Sequence, residues 1–304
     1  MVSMSTNSEL QTIRDFLRYA TSRFNEAGLY FGHGTDNAWD EAIALILHTL
    51  HLPHDINPAV LAAHLVQSER ATLLELIEKR VIKRIPVPYL THEAWFLGMP
   101  FYVDERVLIP RSPIAELIEN HFKPWVSAGD VEAILDLCTG SGCIAIACAK
   151  AFPDAEVDAS DISPEALAVA KINVLRHALE DQVHLHQADL FNGTPSKKYN
   201  IIVSNPPYVS ATEMAELPPE YLHEPKQGLS AGKEGLDFAI RIMKEARQFL
   251  TPHGILVVEV GNSETTLAET YPDIPFTWLE FERGGGGVFL LTAQQLEKYG
   301  CLIE

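Results

Sequence analysis

The chain of 304 residues predicts an α/β fold: a mostly parallel sheet covered by helices, closed by an antiparallel C-terminal hairpin and preceded by a small N-terminal helical domain. Two observations carry this expectation. From residue 133 onward, five short apolar runs (133–138, 156–160, 183–187, 200–204 and 254–260) alternate with helical stretches, the texture of parallel strands joined by crossover helices. Two further runs, 276–281 and 288–292, are joined by Gly284-Gly285-Gly286-Gly287 with no room for a crossover helix, so they must pair antiparallel.

Ahead of the sheet, residues 8–84 carry helical periodicity and little strand signal. Ile13, Phe16, Leu17, Ala20 and Phe24 recur at three-and-four spacing on one face. Asp36 is expected to cap a helix through Ile43, Ile46, Leu47 and Leu50, Asn57-Pro58 to open another, and Ser68 to cap a third through Leu73, Ile77 and Val81. Pro86 and Pro88 then break the helical pattern. Trp95-Phe96-Leu97 and Phe101-Tyr102-Val103 flank Gly98-Met99-Pro100 as two strands around a turn. The expected organisation is a helical domain over 1–85, a β-hairpin linker over 86–111 and the sheet domain over 112–304.

Hydrophobic residues make up 47% and charged residues 21% of the chain, a balance that excludes wholesale disorder. With 23 basic against 41 acidic residues, the net charge of -18 repels phosphate backbones and attracts basic partners, which argues against nucleic acid as a direct partner. Cys138, Cys143, Cys148 and Cys301 form no C-x-x-C pair and read as small reduced residues. No apolar run approaches the ~18 residues of a membrane span, and the start lacks a signal-peptide pattern, so no membrane association and a cytoplasmic location are expected. His48, His51 and His54 are spaced by three, but Pro53 interrupts the run and no metal is expected there.

Asp136-Leu137-Cys138-Thr139-Gly140-Ser141-Gly142-Cys143 lies where the first parallel strand gives way to a helix, the edge at which doubly wound folds bind ligands. Gly140 and Gly142 allow close backbone approach, and the following helix offers free N–H groups. The spacing Gly140-x-Gly142-x-x-Ala145 also satisfies the dinucleotide fingerprint, so this segment alone leaves the cofactor open. Asp161, after the second strand, is placed to accept ribose hydroxyls. Asp189, after the third, is a second acceptor suited to an adenine amino group. Asp136 could accept from the cofactor's amino group or brace the loop.

The fourth strand ends in Ser204-Asn205-Pro206-Pro207-Tyr208, and this stretch decides against a dehydrogenase. An amide nitrogen is a poor nucleophile because its lone pair is delocalised. An enzyme that methylates one must accept hydrogen bonds from both N–H groups and turn the lone pair toward the methyl. Asn205 offers its side-chain carbonyl and Pro206 its backbone carbonyl. Pro206 and Pro207 fix the backbone without competing as donors, and Tyr208 can lay an aromatic face against the substrate nitrogen or a cationic sulfonium. In-line transfer then depends on positioning, without a metal.

Asn-Pro-Pro-Tyr behind such a cofactor edge resembles the methyltransferases that modify planar nitrogens, either the adenine amino group of nucleic acids or protein glutamine. The flanks resemble the bacterial protein-(glutamine-N5) methyltransferases over about residues 80–292: Arg84-Ile85-Pro86-Val87-Pro88-Tyr89-Leu90, the stretch 101–111 ending in Val107-Leu108-Ile109-Pro110-Arg111, His223-Glu224-Pro225, and Gly235-Leu236-Asp237. The resemblance implies a Rossmann-like class I methyltransferase sheet with S-adenosyl-L-methionine as methyl donor and S-adenosyl-L-homocysteine as product. By position it implies cofactor contacts at Asp136, Thr139, Gly140, Gly142, Asp161, Asp189 and Asn205. It places substrate glutamine at Asn205, Pro206, Pro207 and Tyr208, with catalysis carried by Asn205, Pro206 and Tyr208, and makes 1–85 the substrate-recognition domain. A generic turn of this kind often has a third glycine where this chain has Cys143.

Where the release-factor branch reads Pro-Arg-Pro-Asp-Thr-Glu, this chain has Pro110-Arg111-Ser112-Pro113-Ile114-Ala115-Glu116. Together with Phe281-Glu282-Arg283 and the glycine run, this is similar to the branch acting on large-subunit ribosomal protein L-three, a basic protein. Release factors, an adenine-N6 nucleic-acid methyltransferase and a non-catalytic cofactor-binding module are the alternatives.

Overall fold

The computed structural model describes residues 9–303. It divides into two compact units. One comprises the chain through Ala94 together with Pro218–His223; the other comprises Trp95–Leu217 and the chain from Glu224 onward.

In the helical unit, α1 (Ile13–Glu26) buries the predicted face of Ile13, Phe16, Leu17, Ala20 and Phe24. Thr12 caps it reciprocally. Its hydroxyl accepts the Asp15 N–H at 3.2 Å, and the Asp15 carboxylate accepts the Thr12 N–H at 2.8 Å. α2 (Ala38–Thr49) is capped by Asn37, not by Asp36 as expected: Asn37 Oδ1 takes the Asp40 N–H at 2.9 Å, while Asp36 accepts from the Asn37 amide. Either side chain is a competent cap, and the one three residues before the Asp40 N–H makes the bond. Asn57-Pro58 opens only a short 3-10 turn, Pro58–Ala62. α3 (Gln67–Lys83) begins before Ser68, because Glu69 accepts the Val66 N–H at 2.9 Å and fixes the start at Val66. Pro86 and Pro88 do not break the helical pattern outright: α4 (Val87–Thr91) holds Pro88 in its first turn, where a missing N–H costs nothing.

The segment Pro219–His223 returns to this unit as a 3-10 turn and supplies Glu220. Arg80 of α3 is fully buried and meets two buried carboxylates: Glu41 accepts its Nε at 3.0 Å, and Glu220 accepts its Nη1 at 3.3 Å. Its Nη2 donates to the Tyr30 carbonyl at 2.9 Å.

The second unit opens with β1 (Ala94–Phe96) and β2 (Met99–Phe101). The turn is Leu97-Gly98, one residue earlier than expected. Both have positive φ, +51° and +70°, which a two-residue hairpin turn requires. There follow α5 (Ile114–Glu119), β3 (Ala133–Leu137), α6 (Cys143–Ala151), β4 (Glu156–Asp161), α7 (Pro164–Arg176), β5 (Val183–Gln187), β6 (Tyr199–Ser204), α8 (Ala211–Glu216), α9 (Asp237–Ala246), β7 (Leu250–Glu259), α10 (Glu264–Thr270), β8 (Thr277–Trp278), β9 (Val288–Thr292) and α11 (Ala293–Tyr299).

The sheet order is β5-β4-β3-β6-β7-β9-β8. It is parallel from β5 to β7, and β9 is antiparallel to both β7 and β8. This is the predicted architecture, with β8 shorter than the apolar run 276–281. Both faces are covered: Ile134, Val157, Ile201 and Val257 pack toward α6, and Leu135, Ile202, Leu256 and Val258 toward α9 and α11. The central stretches Ile201–Val203 and Ile255–Val258 are apolar throughout because neither face meets water, whereas β4 and the outer β5 carry polar residues such as Asp158, His184 and His186. Leu137 pairs with Ser160 on one side and Ser204 on the other. That register brings the loops after β3, β4 and β6 to a single edge.

Candidate active site

At that edge the chain turns sharply after β3. Cys138, Gly140 and Gly142 all have positive φ, and α6 begins at Cys143. Gly140 (φ +55°) has no atom within 4 Å of where a Cβ would stand, so its face is open. Gly142 serves a different contact, since a Cβ there would sit 3.3 Å from the Ala170 Cβ of α7.

Asp136 is fully buried beneath the turn. One of its oxygens accepts the Thr139 hydroxyl at 2.5 Å and the Ala145 N–H at 3.1 Å. Both bonds brace the turn, while its other oxygen, also buried, has no hydrogen-bond partner among the described residues. Burial pushes its carboxyl up to about 7, whereas the unfolded carboxyl titrates near about 4. The folded state therefore holds a proton that the unfolded chain releases, and the stability due to this proton is lost as pH rises through that window. Wild-type stability relative to Asp136→Asn should fall between about pH 4 and pH 7 and level off above. Urea unfolding of both proteins across that range checks this; parallel pH profiles would rule it out.

The turn borders a cavity with about 170 Å³ accessible to the centres of water molecules, more than tenfold the ~10–15 Å³ that one water needs. Thr139, Gly140, Asp161, Asp189, Asn205 and Pro207 line it; apolar walls come from Val107–Pro110, Ile162, Leu190 and Phe238. Asp136, Gly142, Pro206 and Tyr208 lie behind or beside that lining. Asp161 accepts the N–H groups of Gly140 and Ser163, both at 2.9 Å, and burial raises its pKa. It thus ties the glycine turn to the end of β4 and still faces the cavity. The Asp189 carboxylate is held by Arg241 of α9, both oxygens at 2.9 Å, a partner not foreseen in the sequence. An open backbone at Gly140, two carboxylates along one wall and apolar surfaces between them suit a ribonucleoside with a charged tail. These residues fit S-adenosylmethionine.

On the opposite side, the Asn205 amide Nδ2 donates to the Arg111 carbonyl at 3.5 Å, which leaves Oδ1 as its acceptor end. Arg111 is clamped by buried Glu224: Nη1 at 2.7 Å, Nη2 at 2.6 Å, with the Ile109 N–H at 3.1 Å on the same carboxylate. The Arg111 and Glu224 stretches, separate in sequence, therefore meet. Tyr208 donates its hydroxyl to Glu259 at 3.0 Å, and its ring lies so close over Gly261 that a Cβ there would stand 2.5 Å from Cε2. Glu259 also accepts the Ser112 hydroxyl at 2.5 Å.

Against known proteins, the chain is 53% identical over 289 residues to the ribosomal protein uL3 glutamine methyltransferase of Neisseria gonorrhoeae, covering 95% of this chain and 96% of that one. It is 48% identical over 293 residues to the protein of the same name from Francisella tularensis subsp. tularensis, covering 96% and 93%. The chain belongs to this family, the ribosomal protein uL3 glutamine methyltransferases. The model of the methyltransferase small domain matches residues 116–233, from α5 through the Asn205 motif. A solved methyltransferase from Pyrococcus furiosus aligns over 75% of this chain and 99% of that one, at 17% identity and a TM-score of 0.46. The family makes the chain an S-adenosylmethionine-dependent methyltransferase and sets aside both the dinucleotide and the non-catalytic readings.

Among the described residues, no group of three or more His, Cys, Asp and Glu is placed to hold a metal ion, and no helix is long and apolar enough to cross a membrane. Cys138, Cys143 and Cys148 are free thiols. Burial raises all three, Cys143 to about 12, which removes them from thiolate chemistry. Sequence reasoning missed Arg241, Ser112 and Glu259. Only Glu259 carried a signal, as a carboxylate ending the apolar run Ile255–Val258.

Proposed function

We propose that this protein transfers the methyl group of S-adenosyl-L-methionine to the side-chain amide nitrogen (N5) of a glutamine in ribosomal protein uL3, the large-subunit protein L3. When bound, the cofactor supplies an electrophilic methyl on a cationic sulfur, with S-adenosyl-L-homocysteine as product. The observation that carries the reading is the orientation of Asn205. With an Nδ2 N–H turned to the Arg111 carbonyl, Oδ1 is the end that accepts an amide N–H from glutamine. The Pro206 carbonyl takes the second N–H, and Pro207 keeps the turn from flexing. Tyr208, fastened through Glu259, walls the nitrogen. Two fixed acceptors orient the lone pair and exclude water without touching the sulfur.

Asp161, Asp189, Thr139 and the Gly140 backbone hold the nucleoside and tail of the cofactor, with Asp136 and Gly142 keeping the turn in shape. The helical front domain (1–85) and hairpin (86–111) select the protein partner for the catalytic domain (112–304). A net charge of -18 favours encounter with a basic ribosomal protein, and the location that follows is the cytoplasm. Support for uL3 over release factors comes from the two relatives' names and from Ser112-Pro113 in the flanking stretch.

The test is transfer of labelled methyl from S-adenosylmethionine to purified uL3, release factors and DNA in parallel. Label on uL3, lost when its target glutamine is changed, is expected. Label on release factors alone would overturn the substrate, and label on DNA alone would overturn the acceptor class.

A further inference from the structure

Glu259 ends β7 with its side chain buried, and its two oxygens bond residues of two different loops. Oε1 accepts from Tyr208, which follows β6, at 3.0 Å; Oε2 accepts from Ser112, ahead of α5, at 2.5 Å. Ser112 adjoins Arg111, whose carbonyl orients Asn205. One carboxylate therefore links the aromatic wall to the strap that sets the amide acceptor. Other contacts bear on one or the other: Gly261 and Ser263 on Tyr208, and Glu224 on the Ile109–Arg111 stretch.

Resting on the glutamine reading above, we propose that Glu259, as a carboxylate, is a positioning residue for methyl transfer that keeps Tyr208 and the Arg111–Ser112 strap in register with Asn205. A carboxylate accepts from both hydroxyls at once. Once protonated, it must donate one of its hydrogen bonds, and one hydroxyl has to turn round or part. Burial pushes Glu259 up to about 7. The groups acting on it are the Ser112 and Tyr208 hydroxyls, which bond it, and the Arg111 guanidinium, whose charge lowers it. The anion is therefore the form above about pH 7, and the register loosens as pH falls through that value.

The experiment measures kcat, KM for uL3, and cofactor affinity from pH 5.5 to 9 for wild type, Glu259→Gln and Ser112→Ala. Wild-type kcat should fall on the acid side near pH 7. Glu259→Gln should lower kcat on the order of tenfold at pH 8, with cofactor affinity within about twofold and the acid limb at pH 7 gone. Adding Ser112→Ala to Glu259→Gln should cost no more than Glu259→Gln alone, because the two act through one bond. If Glu259→Gln does not fold, Ser112→Ala and Tyr208→Phe remove the bonds from outside, and the same loss of kcat is expected of each. Unchanged kcat with the limb retained overturns the assignment, as does a rise in KM alone. Wild type failing to label uL3 overturns the glutamine reading and this inference together. Label by wild type with an unaffected Glu259→Gln overturns only the inference.

Discussion

Asn205→Ala is expected to lower kcat on the order of 10²–10³-fold, the loss seen when one preorganised polar group is removed from a reacting centre. Affinity for S-adenosylmethionine should stay within about threefold. Asn205 borders the cavity, but its amide turns an N–H to the Arg111 carbonyl, so alanine removes the acceptor for the glutamine N–H and leaves the Gly140 turn, Asp161 and Asp189 as they were. Asp161→Ala should behave in the opposite sense. It frees the N–H groups of Gly140 and Ser163, loosens the turn and weakens cofactor binding first. Calorimetric titration with S-adenosylhomocysteine, set beside single-turnover rates, separates the two. Equal loss of binding and rate in Asn205→Ala would place that side chain on the cofactor instead.

Arg80→Ala is expected to destabilise the helical unit by about 3–5 kcal/mol, the usual result of removing one partner from a buried ion network. The guanidinium is fully buried and serves Glu41, Glu220 and the Tyr30 carbonyl at once. Without it, Glu41 stays buried with no ion partner among the described residues, beside Glu220, which keeps Arg84 at 3.3 Å. Burial already raises Glu41, held back by the Arg80 charge, so the variant should take up protons and recover part of its stability at low pH. Urea unfolding followed by circular dichroism at pH 5 and pH 8 tests both points. A loss under about 1 kcal/mol would reduce the network to the worth of a surface pair.

What the sequence revealed divides along contact range. The central parallel strands and β9 were legible because their burial is written into consecutive residues, as in Ala133–Leu137, Ile255–Val258 and Val288–Leu291, whereas β8 forms over Thr277–Trp278 alone. The helical face of Ile13, Phe16, Leu17, Ala20 and Phe24 was legible for the same reason. Caps were less so: Asp36 and Asn37 are adjacent and chemically alike, and only the turn geometry chooses Asn37. The candidate site follows the same division. Gly140, Asp161, Asp189 and Asn205 stand at strand ends and could be placed one by one. The Ser112–Glu259 bond spans 147 positions and Arg111–Glu224 spans 113, so no local pattern announces either. Asp136 and Gly142 lie in a recognisable motif, yet motif membership does not distinguish a residue that lines a cavity from one that braces or packs behind it.

The brief return of Pro218–His223 to the helical unit bears on how this enzyme can be taken apart. The helical unit is not a cassette with a single seam. A graft that exchanged only the first 94 residues with a relative would set the newcomer's residues at positions 41 and 80 against the host's Glu220, splitting the buried network between two sources. A working chimera needs two crossovers, one near Ala94 and a short patch at Pro218–His223.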